Sequence, residues 1–406
     1  MTKKRRLIFA WPYIEWGGAQ IYFLAIMKLA KADWDVVVLL PQNSLPDILG
    51  YLKDLDVRCE FIDGASDAKP APTLRRKLAR QWARIRSQII MYRHLKELDL
   101  RQSILHIELA PWQDWIFFTL LSMRGANVFV TMHNFLPRHS ALREAIWKFR
   151  LQFVSRLPGF HIFASNHDTR NKLKGWVADK FQERIPVTYT CVNPPEIDEA
   201  LNAETDTAEL RRSIGVSETD FLVLCVGQFV DRKGRWVFLE AAKKVVESQG
   251  GISFVWVAPK LPNDEDKRRI AEYHLGDRFK LVLSETIGKT RKEVLTFFRI
   301  ADAFALPSFV EGLPIALLEA MALGIPSIST NVYAIPEALK HMETGMLIEA
   351  GDSDALADGI LDLSRSPELS AKLGRQGREF VMRNFDEREA SRIAIAAYKE
   401  CFADAR

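Results

Sequence analysis

The sequence predicts an α/β protein with two doubly wound, Rossmann-like parallel-sheet units in series. Three observations carry this. The chain has 406 residues, the length of about two domains. Short, continuously apolar runs recur along it, separated by stretches whose apolar residues keep helical spacing. That rhythm pauses over 188–198 and restarts at 220. Apolar runs without alternation suit strands covered on both faces of a sheet.

In order, "RLIFA" (6–10) is a strand, "GGAQIYFLAIMKLAKA" (17–32) a helix and "DVVVLL" (35–40) a second strand, a βαβ beginning. "SILHIE" (103–108), "NVFVTMHN" (127–134) and "GFHIFAS" (159–165) read as further strands. At the junction "TYTCVNPPEID" (188–198), two prolines are expected to exclude both helix and central strand. "EALNAETDTAELRRS" after it fits a linker or a first helix. Strands follow at "DFLVLCVGQF" (220–229), "SFVWVA" (253–258), "FKLVL" (279–283) and "AFALPS" (303–308), with a helix at "GRWVFLEAAKKVVES" (234–248). "PIALLEAMAL" is a helix with Pro314 at its first position, where a missing N–H costs nothing. "FDEREASRIAIAAYKECFADAR" (385–406) is an amphipathic helix with no strand after it. The domains expected are 1–195, 196–384 and a C-terminal helix, 385–406.

Composition narrows the function. At 48 % apolar residues the chain supports large cores rather than disorder. Lys+Arg 56 against Asp+Glu 52, net +4, is too balanced to indicate a nucleic-acid partner. Cys59, Cys191, Cys225 and Cys401 are far apart and form no zinc or disulfide pattern, which fits a reducing, cytoplasmic setting. The first residues are basic, but Pro12 and Glu15 interrupt the apolar run, so they do not read as a signal peptide. No run of about 18 apolar residues predicts a membrane-spanning helix.

One block is strongly basic. Arg75, Arg76, Lys77, Arg80, Arg84, Arg86 and Arg93 occur with no acid between Lys69 and Lys96. Leu74, Leu78, Trp82, Ile85, Ile89 and Tyr92 keep three- or four-residue spacing, which makes an amphipathic helix. Two readings fit: a domain helix with a solvated charged face, or an interfacial helix on an anionic membrane with Arg75, Arg76, Lys77, Arg80 and Trp82 facing it and Trp82 and Tyr92 near the headgroups. No aromatic-interleaved module supports nucleic acid.

"PSFVEGLPIALLEAMALGIPSIST" (307–330) poses the functional question, because an apolar stretch carries Glu311 and Glu319. Its helix starts at the carboxyl end of a predicted strand, where open α/β sheets bind ligands. Gly312 permits a close turn. The N–H groups near Leu313, Ile315 and Ala316 suit a phosphate or diphosphate. Helical side chains lean toward the N-terminus, so Glu319 reaches back toward Glu311. Carboxylates accept from paired sugar hydroxyls. The bland alternative is a helix-face Glu319 paired with an Arg and a Glu311 that is an ordinary loop acid.

"E-G-L-P-I-A-L-L-E-A-M-A-L-G-I-P" resembles the paired-glutamate (E-x7-E) signature of retaining GT-B glycosyltransferases of family four, the glycogen-synthase-like group. "GGAQ", "ILHIE", "VTMHN", "FASNHDTRNKL", "VGQFVDRKG" and "TGMLIEAGDSDALADGI" resemble further family segments in the expected order. The resemblance implies two domains facing each other across a cleft, with the C-terminal helix returning to the first. It implies that Glu319 holds the ribose, Glu311 accepts from the donor sugar, and Lys233 binds the diphosphate, with Arg232 and Gln228 beside it. His133 is expected near the donor sugar and phosphate, and Gly17 and Gly18 in a loop approaching donor or acceptor. His106 reads as structural.

The co-substrate implied is a nucleotide diphosphate sugar, with UDP or GDP as carrier, and the acceptor a glycan or lipid-linked hydroxyl. No cofactor and no metal are expected. Asp54–Asp56 and Asp352–Asp354 spell an acid pair but do not directly follow strands in a nucleotide-binding setting. The location expected is cytoplasmic, with a peripheral position on the inner membrane face following from the interfacial reading of the basic helix. Departures from the family are Gln228 where it usually has Arg, no Gly-x-Gly turn after 253–258, Val332-Tyr333 where it has Gly-Gly, and no N-G pair at the junction. A non-catalytic nucleotide-sugar binder and a nucleotide-sugar epimerase are the alternatives.

Overall fold

The computed structural model describes residues 4–12, 18–63, 73–134, 139–288 and 290–402. They form two compact units, Met1–Tyr189 with Glu387–Arg406, and Thr190–Asp386.

The first unit holds β1 (Arg6–Ala10), β2 (Asp35–Pro41), β3 (Arg58–Ile62), β4 (Ser103–Ile107), β5 (Asn127–Met132) and β6 (Phe160–Ala164). They pair in parallel in the order β3-β2-β1-β4-β5-β6. Side chains alternate across the sheet. Ile8, Val37, Leu105 and Val128 therefore enter one core, and Leu7, Phe9, Val38 and Phe129 the other. Met91 and Leu95 of the Leu74–Leu95 helix, Phe117 and Phe118 of the Trp115–Met123 helix, and Leu151 and Val154 of the Ala141–Val154 helix roof the first core. Phe23 and Met27 of the Gly18–Ala30 helix join Ala394 and Tyr398 of the Glu387–Glu400 helix over the second.

The second unit repeats the plan with β7 (Phe221–Val226), β8 (Ile252–Ala258), β9 (Phe279–Leu283), β10 (Ala303–Leu306), β11 (Ser327–Thr330) and β12 (Met346–Ile348). Their order is β12-β11-β10-β7-β8-β9, again parallel. In each unit the strand order reverses beside the first strand, between β1 and β4 and between β7 and β10. Such switch points are where open sheets leave a crevice at the strands' carboxyl ends.

Three strands carry too little pattern to be seen in the sequence. β3 lies at a sheet edge and mixes Arg58 and Glu60 with apolar residues, while β11 and β12 have four and three residues. The junction prolines do not break structure as expected. Pro194 and Pro195 open the Pro194–Asn202 helix, and Asn193 caps it by accepting from the Glu196 N–H. At a helix's first positions the lost N–H has no partner to lose. Pro314 is likewise one step earlier than expected, with ψ of 120° as the N-cap of the Ile315–Ala322 helix.

Candidate functional site

The loops that follow β7 and β10 meet at the second unit's switch point. After β7, Asp231–Lys233 makes one 3-10 turn and ends on Gly234 at φ 73°. A Cβ there would lie 1.8 Å from the Pro307 carbonyl oxygen, so glycine alone fits. The Phe309 N–H donates to the Arg232 carbonyl at 2.8 Å, joining the two loops. Lys233 is thereby held in an ion pair with Glu311, and both side chains are largely buried. Ser308 Oγ donates to the same carboxylate at 2.8 Å, and Thr330 Oγ1 fixes Ser308 by donating to its carbonyl at 2.6 Å. Arg232 donates to Gln228 Oε1 at 3.0 Å, so a guanidinium stands beside the position where the family pattern has Arg.

Beyond Glu311, Gly312 is half-buried and Leu313 buried. The Pro314 carbonyl accepts from Leu317 and Leu318 at 3.1 and 3.2 Å. The Ile315 and Ala316 amides start the helix, where no intrahelical acceptor exists for them. A turn further in, Glu319 is buried and ion-paired with Arg291. Arg291 is the first residue of the Arg291–Phe298 helix, begun by a Thr290/Glu293 capping box, and its Nε also lies 3.6 Å from Glu196. Burial raises the Glu319 carboxyl above its ordinary range, and Arg291 pulls it partly back. Glu319 therefore has the Arg partner of the bland sequence alternative, inside a buried setting rather than on a solvated face.

In the first unit, His133 follows β5 and sets its ring at 84° to Tyr22, 5.4 Å between centroids. Its Nε2 lies 3.5 Å from Glu108 Oε2. Both atoms are buried and lack a hydrogen-bond partner among the described residues. Glu108 follows β4, next to the first switch point. His106 is bonded on both ring nitrogens, to Tyr398 at 2.5 Å and Thr131 at 2.8 Å, and burial lowers its pKa well below the ordinary value. Gly18 opens the Gly18–Ala30 helix, and Gly17 lies outside the described residues. Arg75, Arg76, Lys77, Arg80 and Trp82 are exposed on the Leu74–Leu95 helix.

The structure thus brings Lys233, Glu311 and the unanticipated Ser308 together, and separately Glu319 with the unanticipated Arg291. Only the T-x-x-E run at Thr290 hinted at Arg291, since it marks a helix start. Nothing in the sequence singled out Glu108. Of the acid-pair residues, Asp352 caps a helix, Asp354 pairs with Lys244, and Asp56 lies exposed 3.8 Å from Lys31.

Residues 206–380 match the family model described as Glycosyl transferases group 1. Among curated proteins, N-acetyl-alpha-D-glucosaminyl L-malate synthase of Bacillus anthracis is 30% identical over 209 residues, 51% of this chain and 52% of that protein. A GDP-mannose-dependent alpha-(1-6)-phosphatidylinositol monomannoside mannosyltransferase of Mycobacterium tuberculosis is 30% identical over 182 residues, 43% of this chain and 46% of that one. The chain spans about half the length of these relatives. Two solved structures resemble nearly the whole chain. Anabaena Alr3699/HepE, in complex with UDP and glucose, has a TM-score of 0.77 at 16% identity, covering 98% of this chain and 100% of that one. Sucrose-phosphate synthase of Thermosynechococcus elongatus has a TM-score of 0.73 at 20% identity, covering 99% and 100%. The chain has the GT-B fold of two Rossmann-like domains, and its residues 206–380 are similar to the glycosyl transferases group 1 family.

Proposed function

We propose that the chain is a retaining, metal-independent glycosyltransferase. It moves a sugar from a nucleotide diphosphate donor, with UDP or GDP as carrier, to a hydroxyl of a glycan or lipid-linked acceptor. The observation that carries this reading is the Lys233–Glu311 ion pair at the carboxyl ends of β7 and β10, ahead of a helix N-terminus. Each partner answers one part of a nucleotide sugar. The Lys233 ammonium turns to the diphosphate, while the Glu311 carboxylate accepts from the sugar hydroxyls. The amides around Gly312–Ala316 add donors to the phosphates. Glu319, steered by Arg291, takes the ribose hydroxyls.

The bond from the anomeric carbon to the diphosphate breaks, and a bond to the acceptor oxygen forms on the same face. A diphosphate oxygen takes the acceptor's proton, so no protein nucleophile is needed. Lys233 and the helix amides stabilise the negative charge that develops on the leaving group. The Lys233 ammonium and these N–H dipoles serve where a metal would otherwise be required. Peripheral attachment to an anionic membrane, one of the two readings of the basic helix, would favour a lipid-linked or cell-surface acceptor.

Incubation with a panel of UDP and GDP sugars, following nucleotide diphosphate release, tests the reading. Slow release from one donor is expected, unaffected by EDTA and lowered about a hundred- to a thousandfold in Lys233→Ala. Loss of turnover in EDTA, restored by manganese, overturns metal independence. Tight nucleotide binding without release under any acceptor favours a second reading, a non-catalytic binder. That alternative draws on Gln228 and on both glutamates being ion-paired already.

A further inference from the structure

The Leu74–Leu95 helix does not do with its apolar stripe what a domain helix does. Leu78, Trp82, Ile85 and Ile89 are 56 %, 71 %, 44 % and 46 % exposed, and core contact is left to the helix's end, where Met91 and Leu95 are buried and Ile90 and Tyr92, against the expectation of a headgroup position for Tyr92, pack beside them. Residues 75–83 are exposed on every side. The pattern is repeated on two neighbours. The Trp115–Met123 helix turns Ile116, Leu120 and Met123 outward, Met123 at 78 % exposure. The Ala141–Val154 helix turns out Leu142, Ile146, Phe149 and Phe153, with Leu142 at 73 % and Phe149 at 68 %. All three stripes follow the same i, i+4, i+7 spacing, one face of a helix.

These helices lie side by side. Arg84 and Gln88 of the first bond Asp114 at the start of the second, and Trp115 meets Phe153 of the third edge-on at 5.7 Å. Their inner sides roof a single core, so the outer stripes share one side of the first unit. The charge on these helices is predominantly positive. The first helix has seven Lys or Arg and no acid, the second has no charged residue, and the third has three Lys or Arg and Glu144. They hold more net positive charge than the chain's +4, so the rest of the molecule is net acidic. Exposed apolar patches of this extent mark interaction surfaces.

We propose that the outer face of these three helices docks in the plane of an anionic lipid bilayer. Trp82, Met123 and Phe149 enter the headgroup boundary, and Arg75, Arg76, Lys77 and Arg80 engage lipid phosphates. The combination of apolar stripe and basic flank selects this occupant. A nucleic acid would answer the charge but not Met123 and Phe149, and a second copy would set the same positive charge against itself. Among the described residues no helix is long and apolar enough to cross a membrane, so the contact lies at the interface.

Co-sedimentation of the full chain with phosphatidylcholine vesicles, with and without phosphatidylglycerol as the anionic lipid, tests this. Binding is expected with the anionic vesicles only, weakened by salt. Met123→Ser/Phe149→Ser lies outside the basic block at exposed positions and is expected to weaken partitioning roughly tenfold or more. Arg75/Arg76/Lys77/Arg80→Gln is expected to weaken it by about fivefold per charge. Absence of binding, or binding that the first variant leaves unchanged, overturns the proposal. So does a chain dimeric in solution that Met123→Ser/Phe149→Ser renders monomeric. No activity is read, so the outcome is separate from that of the glycosyl-transfer proposal.

Discussion

Lys233 and Glu311 neutralise each other, and so do Arg291 and Glu319. Each carboxylate is buried, so neither is left as a lone charge in a low-dielectric setting. Arg291→Ala removes that support from Glu319 and is expected to lower stability by about 3 kcal/mol in a urea titration. Adding Glu319→Gln should recover part of the loss, because the residue left behind is neutral. If the single and double variants unfold at the same midpoint, the pair has no electrostatic role. Tyr333 illustrates another residue-level constraint. It stands where the family pattern has glycine and keeps a left-handed φ of 49°. The backbone shape that glycine normally supplies is thus retained by a residue that pays steric strain for it.

At the scale of elements, the site depends on two loops being fastened together rather than on either alone. Gly234 permits the 231–233 turn to pass beneath Pro307, and the Phe309–Arg232 bond holds it there. Gly234→Ala is expected to cost more than about 1 kcal/mol from its positive φ alone. It should also weaken the nucleotide binding proposed above, since Lys233 moves with the turn. Unchanged melting temperature and nucleotide affinity would contradict that coupling. Local sequence was a good guide to such starts and stops where short-range chemistry decides them. The Thr290/Glu293 capping box and the Asn193 cap before Pro194-Pro195 are readable in hindsight. The prolines misled because their effect depends on position: in a helix interior they break it, and at its first residues they fit. β11 and β12 were too short for their periodicity to register.

For the whole molecule, the C-terminal helix belongs to the first unit's core, where Tyr398 bonds His106 and Cys401 lies 3.5 Å from His161. His161 stacks on Phe129 at 4.4 Å, and burial lowers its pKa from 6.5 to about 4. His106 is lowered for the same first reason, burial. A histidine kept neutral in the fold contributes stability above its unfolded pKa, and that contribution is lost as pH falls from 6.5 toward 4. For His161 the loss amounts to about 3 kcal/mol. Hydrogen exchange across pH 6.5 to 4, corrected for intrinsic rates, should therefore show protection falling earlier in 1–189 than in 190–386. His161→Phe should lessen the difference, and equal losses in both segments would refute it. By itself the sequence determined the alternation that builds two parallel sheets, because strands covered on both faces must be continuously apolar. It also singled out Glu311 and Glu319, since turn glycines and helix spacing are local, and Lys233 only through the family resemblance. Tertiary structure alone decided which charges meet. Lys233 and Glu311 are 78 residues apart and Arg291 and Glu319 are 28 apart, and strand order and helix packing bring each pair together. It alone showed that the apolar stripe of the basic helix faces outward, because amphipathic spacing defines a face but not what that face meets.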